Sequence, residues 1–180
     1  ASSQDGLFRV GSLLRRLLIT AAGSALALLV LGALALTFLF RSTVMTQLDA
    51  RLDQAAIAVI GGLAVNEEDE ITVYAAAGAD FERAFSGRYW QVGAVEGDRP
   101  GAALATSGSL FDAQLELPPA LAARSLSLNG QPVSGEAGGP QGEPLRIVVR
   151  AVRLASDAPP LLITAAEDRR EADGRVARFA

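Results

Sequence analysis

The chain has 180 residues, half of them hydrophobic, with 16 basic and 20 acidic side chains for a net charge of −4. This length accommodates one domain with an accessory segment, not two full domains. Neither cysteine nor histidine occurs, which excludes a disulfide framework and a Cys–His or Ser–His catalytic pair, and removes the commonest biological acid–base group and metal ligand.

The hydrophobic excess is concentrated in residues 17–40, LLITAAGSALALLVLGALALTFLF, a run of 24 residues without a charge. As a helix it rises about 36 Å, enough to cross a hydrocarbon core of about 30 Å with some tilt. Ala33-Leu34-Ala35 resembles a signal-peptidase site, but the apolar run continues through Phe40 and is too long for a cleaved signal. A chain starting at Ala1 rather than Met is expected to be processed or cut from something longer. Arg9, Arg15 and Arg16 precede the run against Asp5 alone, so the positive-inside rule places residues 1–16 in the cytoplasm and residues 41–180 across the membrane. That outer part carries 13 of the 16 arginines and 19 of the 20 acids, a net charge of −6, and offers no basic patch for nucleic acid.

Residues 41–62 continue the helix. Met45, Leu48, Leu52, Ala55 and Val59 repeat at 3-4-3-4 spacing, and the polar Gln47, Asp49, Arg51, Asp53 and Gln54 fall mainly on the other faces. Gly61-Gly62 is the stop signal, so one nearly continuous helix is expected from about residue 13 to residue 60. The seam either joins two copies in a homodimer or packs on the chain's own sheet; fewer than three heptads do not choose between them.

Asn66 to Glu70 then form an acidic turn, in which Glu67, Glu68, Asp69 and Glu70 are weak candidates for a Ca²⁺ site. They lack the glycine-turned alternation of a calcium loop, and a solvated turn is the better reading. A strand is expected over residues 71–77. Asp80 is placed to cap a short helix, FERAF, with Phe81 and Phe85 on one face.

The only tryptophan lies in the next stretch, FSGRYWQVGAV, read as a strand from Arg88 that pairs in a hairpin with residues 102–107. Strand alternation puts Trp90 and Val92 on the core-facing side as anchors, and Tyr89 and Gln91 on the opposite side as candidates for sensing a ligand. Pro118-Pro119 opens a new segment, residues 125–128 form a short strand candidate, and the Gly- and Pro-rich residues 130–144 read as a loop. LRIVVRAVRL, residues 145–154, alternates apolar residues with Arg146 and Arg150, giving one buried and one wet face. LLITAAE returns antiparallel to it, and residues 169–180 read as a helix that leads away. The fold class is therefore α+β: a long membrane helix, then an antiparallel sheet of about five strands with helices on one side.

No phosphate-binding loop, nucleophile elbow or metal-ligand spacing occurs, and carboxylates such as Glu82 and Asp112 are not paired at informative spacing. No cofactor is expected in this chain. Several pieces in order do resemble a family: LDARL after the membrane helix, FSGRYWQV, SGSLFDAQLELP over residues 107–118, GPQGEPLRIVVRAV, and LLITAAEDRREADGRVARF. Together they are similar to the membrane and periplasmic input region of bacterial two-component sensor histidine kinases. The resemblance implies a PAS-like periplasmic sensor domain over residues 63–168, a homodimer in the inner membrane, a second membrane helix, and a kinase core using ATP and Mg²⁺ to signal to a response regulator. With no histidine, these 180 residues cannot include the phosphoacceptor, so phosphotransfer belongs outside them. A chemoreceptor or cyclase input, or a membrane-anchored scaffold, are the competing readings.

Overall fold

A computed structural model describes residues 5–66, 71–74, 78–97, 99–156 and 158–170. The expected acidic turn at Glu67, Glu68, Asp69 and Glu70, and the expected exit helix beyond Arg170, lie outside the described residues. Helix α1, Asp5–Gly62, is continuous for 58 residues, starting earlier than the sequence pattern indicated. Among the described residues its apolar window is packed against nothing, and the helix is long and apolar enough to cross a membrane. There Thr20 and Thr37 return their hydroxyls to carbonyls three or four residues back, so their polarity is absorbed within the helix.

The helix stops for a steric reason. The Gly62 carbonyl accepts the Tyr74 backbone N–H at 2.8 Å, and a Cβ on Gly62 would lie 2.3 Å from the Tyr74 carbonyl oxygen. That close approach admits glycine alone. It lets the chain turn at once into β1, Leu63–Val65, which pairs antiparallel with β2, Ile71–Val73. The strand expected over residues 71–77 is therefore shorter in its described part.

The main sheet contains β3 (Arg88–Glu96), β4 (Arg99–Thr106), β5 (Val133–Gly138), β6 (Pro144–Val152) and β7 (Leu161–Asp168). Its order is β4-β3-β7-β6-β5, and every neighbouring pair is antiparallel. The first and last of these strands are thus adjacent at the centre, Trp90 lying opposite Ala165. Residues 145–152 and 161–167 supply the deepest part of the core, and β7 is buried from Leu161 to Glu167.

The sheet is covered on both faces, whereas the sequence suggested helices on one side. Leu48, Leu52, Ala56 and Val59 of α1 pack with Trp90, Val92, Val148 and Ile163. On the opposite face, α2 (Pro119–Ser127) and the segment around Leu110 and Leu115 cover Tyr89, Ile147, Val149 and Leu162. Each buried Leu, Val or Ile contributes about 1.5–3 kcal/mol of transfer free energy.

Four local expectations are corrected. Residues 125–127 are the end of α2, because the Pro118-Pro119 start launches a helix that carries through them. Within the glycine-rich loop lies an edge strand, β5, whose Val133 and Ala137 pair with Val149 and Leu145 and so bury what apolar surface it has. The FERAF helix is only a 3-10 turn, Ala79–Phe81, without a side-chain cap; Asp80 instead binds Arg88 at 2.6 Å. Phe81 is buried, but Phe85 has φ 52 and faces outward, so the two rings share no face.

Trp90 is buried among the α1-facing residues, and its indole Nε1 has no hydrogen-bond partner. Trp90→Ala is expected to cost about 3–5 kcal/mol. Trp90→Phe, which loses no hydrogen bond and leaves a smaller cavity, should cost less than Trp90→Ala. Urea unfolding of the full chain in detergent, followed by circular dichroism, checks both; an unaffected Trp90→Ala variant would remove the ring from the core.

Candidate functional site

The membrane-type helix is fastened to the sheet by two forked ion pairs. Asp49 and Asp53 are one helical turn apart on α1, and Arg146 and Arg150 lie on one face of β6. Arg146 donates from Nε and Nη2 to Asp49 at 2.6 and 2.7 Å, and Arg150 donates from the same atoms to Asp53 at 2.6 and 2.9 Å. Four residues rise about 6 Å in a helix but about 13 Å in a strand. The long arginine stems span that difference. All four side chains are between 18% and 27% exposed, so water screens the pairs only partly. The Asp49 carboxylate raises the already high pKa of Arg146, keeping it charged.

These arginines overturn the expected wet face of the strand: α1 covers it. Asp49 and Asp53 likewise flank the apolar seam and face the sheet, not solvent. Of the seam, Leu48, Leu52 and Val59 are buried against the chain's own sheet and Met45 and Ala55 pack beside them, so the intramolecular alternative holds in this chain.

A third contact links α1 to the end of β7, where Glu167 is in register with Arg146. The Glu167 carboxylate lies 3.6 Å from Arg51 of α1 and 3.5 Å from Arg88 of β3. Arg88 in turn holds Asp80. Arg51 is more than half exposed, so this is the weakest and most adjustable of the three attachments.

Because Asp49 meets Arg146 and Asp53 meets Arg150, α1 and β6 run in the same direction. The start of β6, the end of β7 and the start of β3 therefore share the end of the sheet nearest the apolar half of α1. There the loops enclose a cavity of about 380 Å³ that includes Arg83, Phe85, Tyr89, Glu143, Glu167 and Asp168. Gly87 shapes its wall: its φ is +82, its carbonyl accepts the Asp168 N–H at 2.7 Å, and a Cβ there would meet that of Asp168 at 3.2 Å. Glu143 is 4% exposed and accepts the Tyr89 hydroxyl at 2.7 Å and the Gln141 N–H at 2.8 Å.

Tyr89 and Gln91 do share the face opposite Trp90 and Val92, but that face is not open. Gln91 is buried and forms a two-way latch with the Leu115 backbone, donating at 3.2 Å and accepting at 2.8 Å. Tyr89 is 1% exposed and reaches the cavity wall. Ser107 and Ser109, from the SGSLFD stretch, are spent on β3: Ser107 accepts the Trp90 N–H and Ser109 donates to the Arg88 carbonyl. Among the described residues no group of carboxylates could hold a metal ion. Sequence reasoning missed Asp49, Asp53, Arg146, Arg150, Arg83 and Glu143. The matching four-residue spacings of the first two pairs were a usable signal, whereas nothing local marks Arg83 and Glu143. No protein-family model matches the chain, nor does any curated protein.

Two outcomes follow for the site. Asp53→Ala should destabilise the chain by about 1–3 kcal/mol, between the values for exposed and buried pairs. Combined with Arg150→Met in a double-mutant cycle it should show a coupling of at least about 1 kcal/mol, and additivity would mean the pair contributes nothing. Burial first, then the bond to Glu143, raises the pKa of the Tyr89 hydroxyl. A raised folded-state pKa adds stability that is complete below the unfolded value, about 10, and declines as pH rises above it. Thermal melts between about pH 9 and 11 should therefore fall more steeply for the natural chain than for Tyr89→Phe.

Proposed function

We propose that residues 1–180 are the signal-sensing input region of a membrane-bound two-component sensor histidine kinase. In this reading the protein is a homodimer in the bacterial inner membrane, with its N-terminus in the cytoplasm and residues 41–180 in the periplasm. The observation that carries it is mechanical: a helix apolar enough to cross a membrane runs without a break into the folded domain and is fastened there to β6. Any shift of the sheet relative to α1 reaches the membrane as a displacement of one rigid rod. The antiparallel five-stranded sheet, with its first and last strands adjacent at the centre, fits a PAS-like domain. ATP, Mg²⁺ and the response regulator belong to a kinase core outside these residues.

The cavity at the α1-apolar end of the sheet is the place where a signal enters, because Glu167 and Arg88 line it and also contact α1 or its neighbouring groove. The dimer uses the face of α1 turned away from the sheet, where Ala50, Gln54 and Ile57 are exposed. Cysteines at Gln54 or Ile57 should cross-link two copies in membranes, and cysteines at Leu48 or Leu52 should not. The gene is expected to continue past Ala180 into a second apolar span of about 20 residues and a helix bearing the phosphoacceptor histidine. A stop codon directly after Ala180 overturns the kinase reading.

A further inference from the structure

We propose that the cavity binds a small zwitterion, Glu143 receiving its primary ammonium group and Arg83 its anionic group. Two opposite charges without ionic partners among the described residues line one space. Among the charged side chains that line the cavity, Asp80 holds Arg88 at 2.6 Å, Glu167 lies between Arg88 and Arg51, and Asp168 is 3.9 Å from Arg170. Two groups are left over. The Glu143 carboxylate, nearly buried, meets only neutral donors, the Tyr89 hydroxyl and the Gln141 N–H. Arg83, among the described residues, makes no ion pair and no side-chain hydrogen bond, and it is exposed at the cavity rim.

A buried carboxylate without a countercharge is costly, and a cation arriving in the cavity relieves that cost. A bare divalent ion does not fit, because the described residues contain no group of carboxylates able to hold one. A lone amine would leave Arg83 unmatched, and a lone anion would leave Glu143 unmatched. A molecule carrying both charges satisfies both. The space of about 380 Å³ admits one of amino-acid size, and Phe85 and Tyr89 supply an aromatic wall beside the ammonium. Phe85 is held there at φ 52, a left-handed backbone that is uncommon for a bulky residue, by its N–H bond to the Ser109 carbonyl at 2.8 Å.

The same chemistry has two sources. A free α-amino acid carries it, and so does the headgroup of an ethanolamine phospholipid, which the cavity's position toward the apolar half of α1 brings within reach. Choline headgroups lack N–H donors for Glu143 and serve as the blank.

The experiment uses the full chain in nanodiscs of phosphatidylcholine and phosphatidylglycerol, with thermal unfolding as the readout. The probes are the individual proteinogenic amino acids and O-phosphoethanolamine, with ethanolamine, acetate and inorganic phosphate as half-molecule controls. A second set of nanodiscs contains phosphatidylethanolamine. The expected result is a raised melting temperature with a zwitterion and not with either half. Arg83→Gln should weaken that binding about 10- to 100-fold while its unliganded melt stays that of the natural chain. Glu143→Gln should weaken it too, but its bonds to Tyr89 and Gln141 make Arg83→Gln the deciding variant. A response to one of the amino acids in the ethanolamine-free discs assigns a free amino acid as the source, and a response to O-phosphoethanolamine without any amino acid counts with the headgroup. A response confined to ethanolamine lipid assigns the headgroup. No response to any zwitterion, equal responses to the half-molecules, or full binding by Arg83→Gln overturns the proposal. It rests on the reading of this cavity as the point of signal entry, yet the binding measurement needs no kinase output. A negative result therefore removes the ligand assignment, while the sequence beyond Ala180 decides the input-region reading separately.

Discussion

Two arginines on one strand hold two aspartates on one helix, and the geometry of the remaining molecule follows from that grip. The apolar contacts of Leu48, Leu52, Ala56 and Val59 supply attraction between α1 and the sheet, but hydrophobic burial is non-directional and would tolerate a helix slid or rotated along the same groove. The forked pairs at Arg146 and Arg150 do not tolerate it. Each needs both carboxylate oxygens in plane with the guanidinium, so together they set where along β6 the helix sits and which way it points. Arg146 and Arg150 also bind Ser134 and the Gly130 carbonyl, which draws the β5 edge into the same register.

That register decides which end of the sheet faces the apolar half of α1, and so where the cavity lies. It also leaves one attachment soft. Arg88 and Glu167 line the cavity on one side and, on the other, a groove of about 270 Å³ beside Leu52, Ala55 and Phe81. The outward pairs of this junction are longer than those at Arg146 and Arg150, and Arg51 is largely in water. On the proposed input-region reading, a change in charge inside the cavity acts first on this junction, which has two sets of partners to choose between, and only through it on the helix. On the same reading the rigid pairs at Arg146 and Arg150 are the pivot.

Much of the fold was legible from periodicity. The unbroken apolar run, the 3-4 spacing after it, and the alternation in residues 88–95 and 145–152 each announced their element, because burial writes a period into sequence wherever one face of an element meets a core. The failures share a cause. Residues 125–127 and 133–138 are short, and Gly or Ser dominates them, so local preference carried little weight and contact with β6 decided. The FERAF segment was misread because Asp80 found a better partner in Arg88 than in the backbone N–H groups it was placed to cap.

By itself the sequence determined the membrane-crossing length of α1, the α+β class, the antiparallel hairpins, and the absence of any histidine or cysteine chemistry in these residues. It also determined that Trp90 and Tyr89 point to opposite faces, since alternation is a property of the strand alone. Only the tertiary structure decided that both faces are covered, that the apolar seam is spent on the chain's own sheet, and that the arginines of β6 face α1 rather than water. It alone brought Arg83 and Glu143, 60 residues apart in the chain, to one cavity. The physical reason is that periodicity records whether a side chain is buried, not by what, and charge pairing depends on distances that no local pattern encodes.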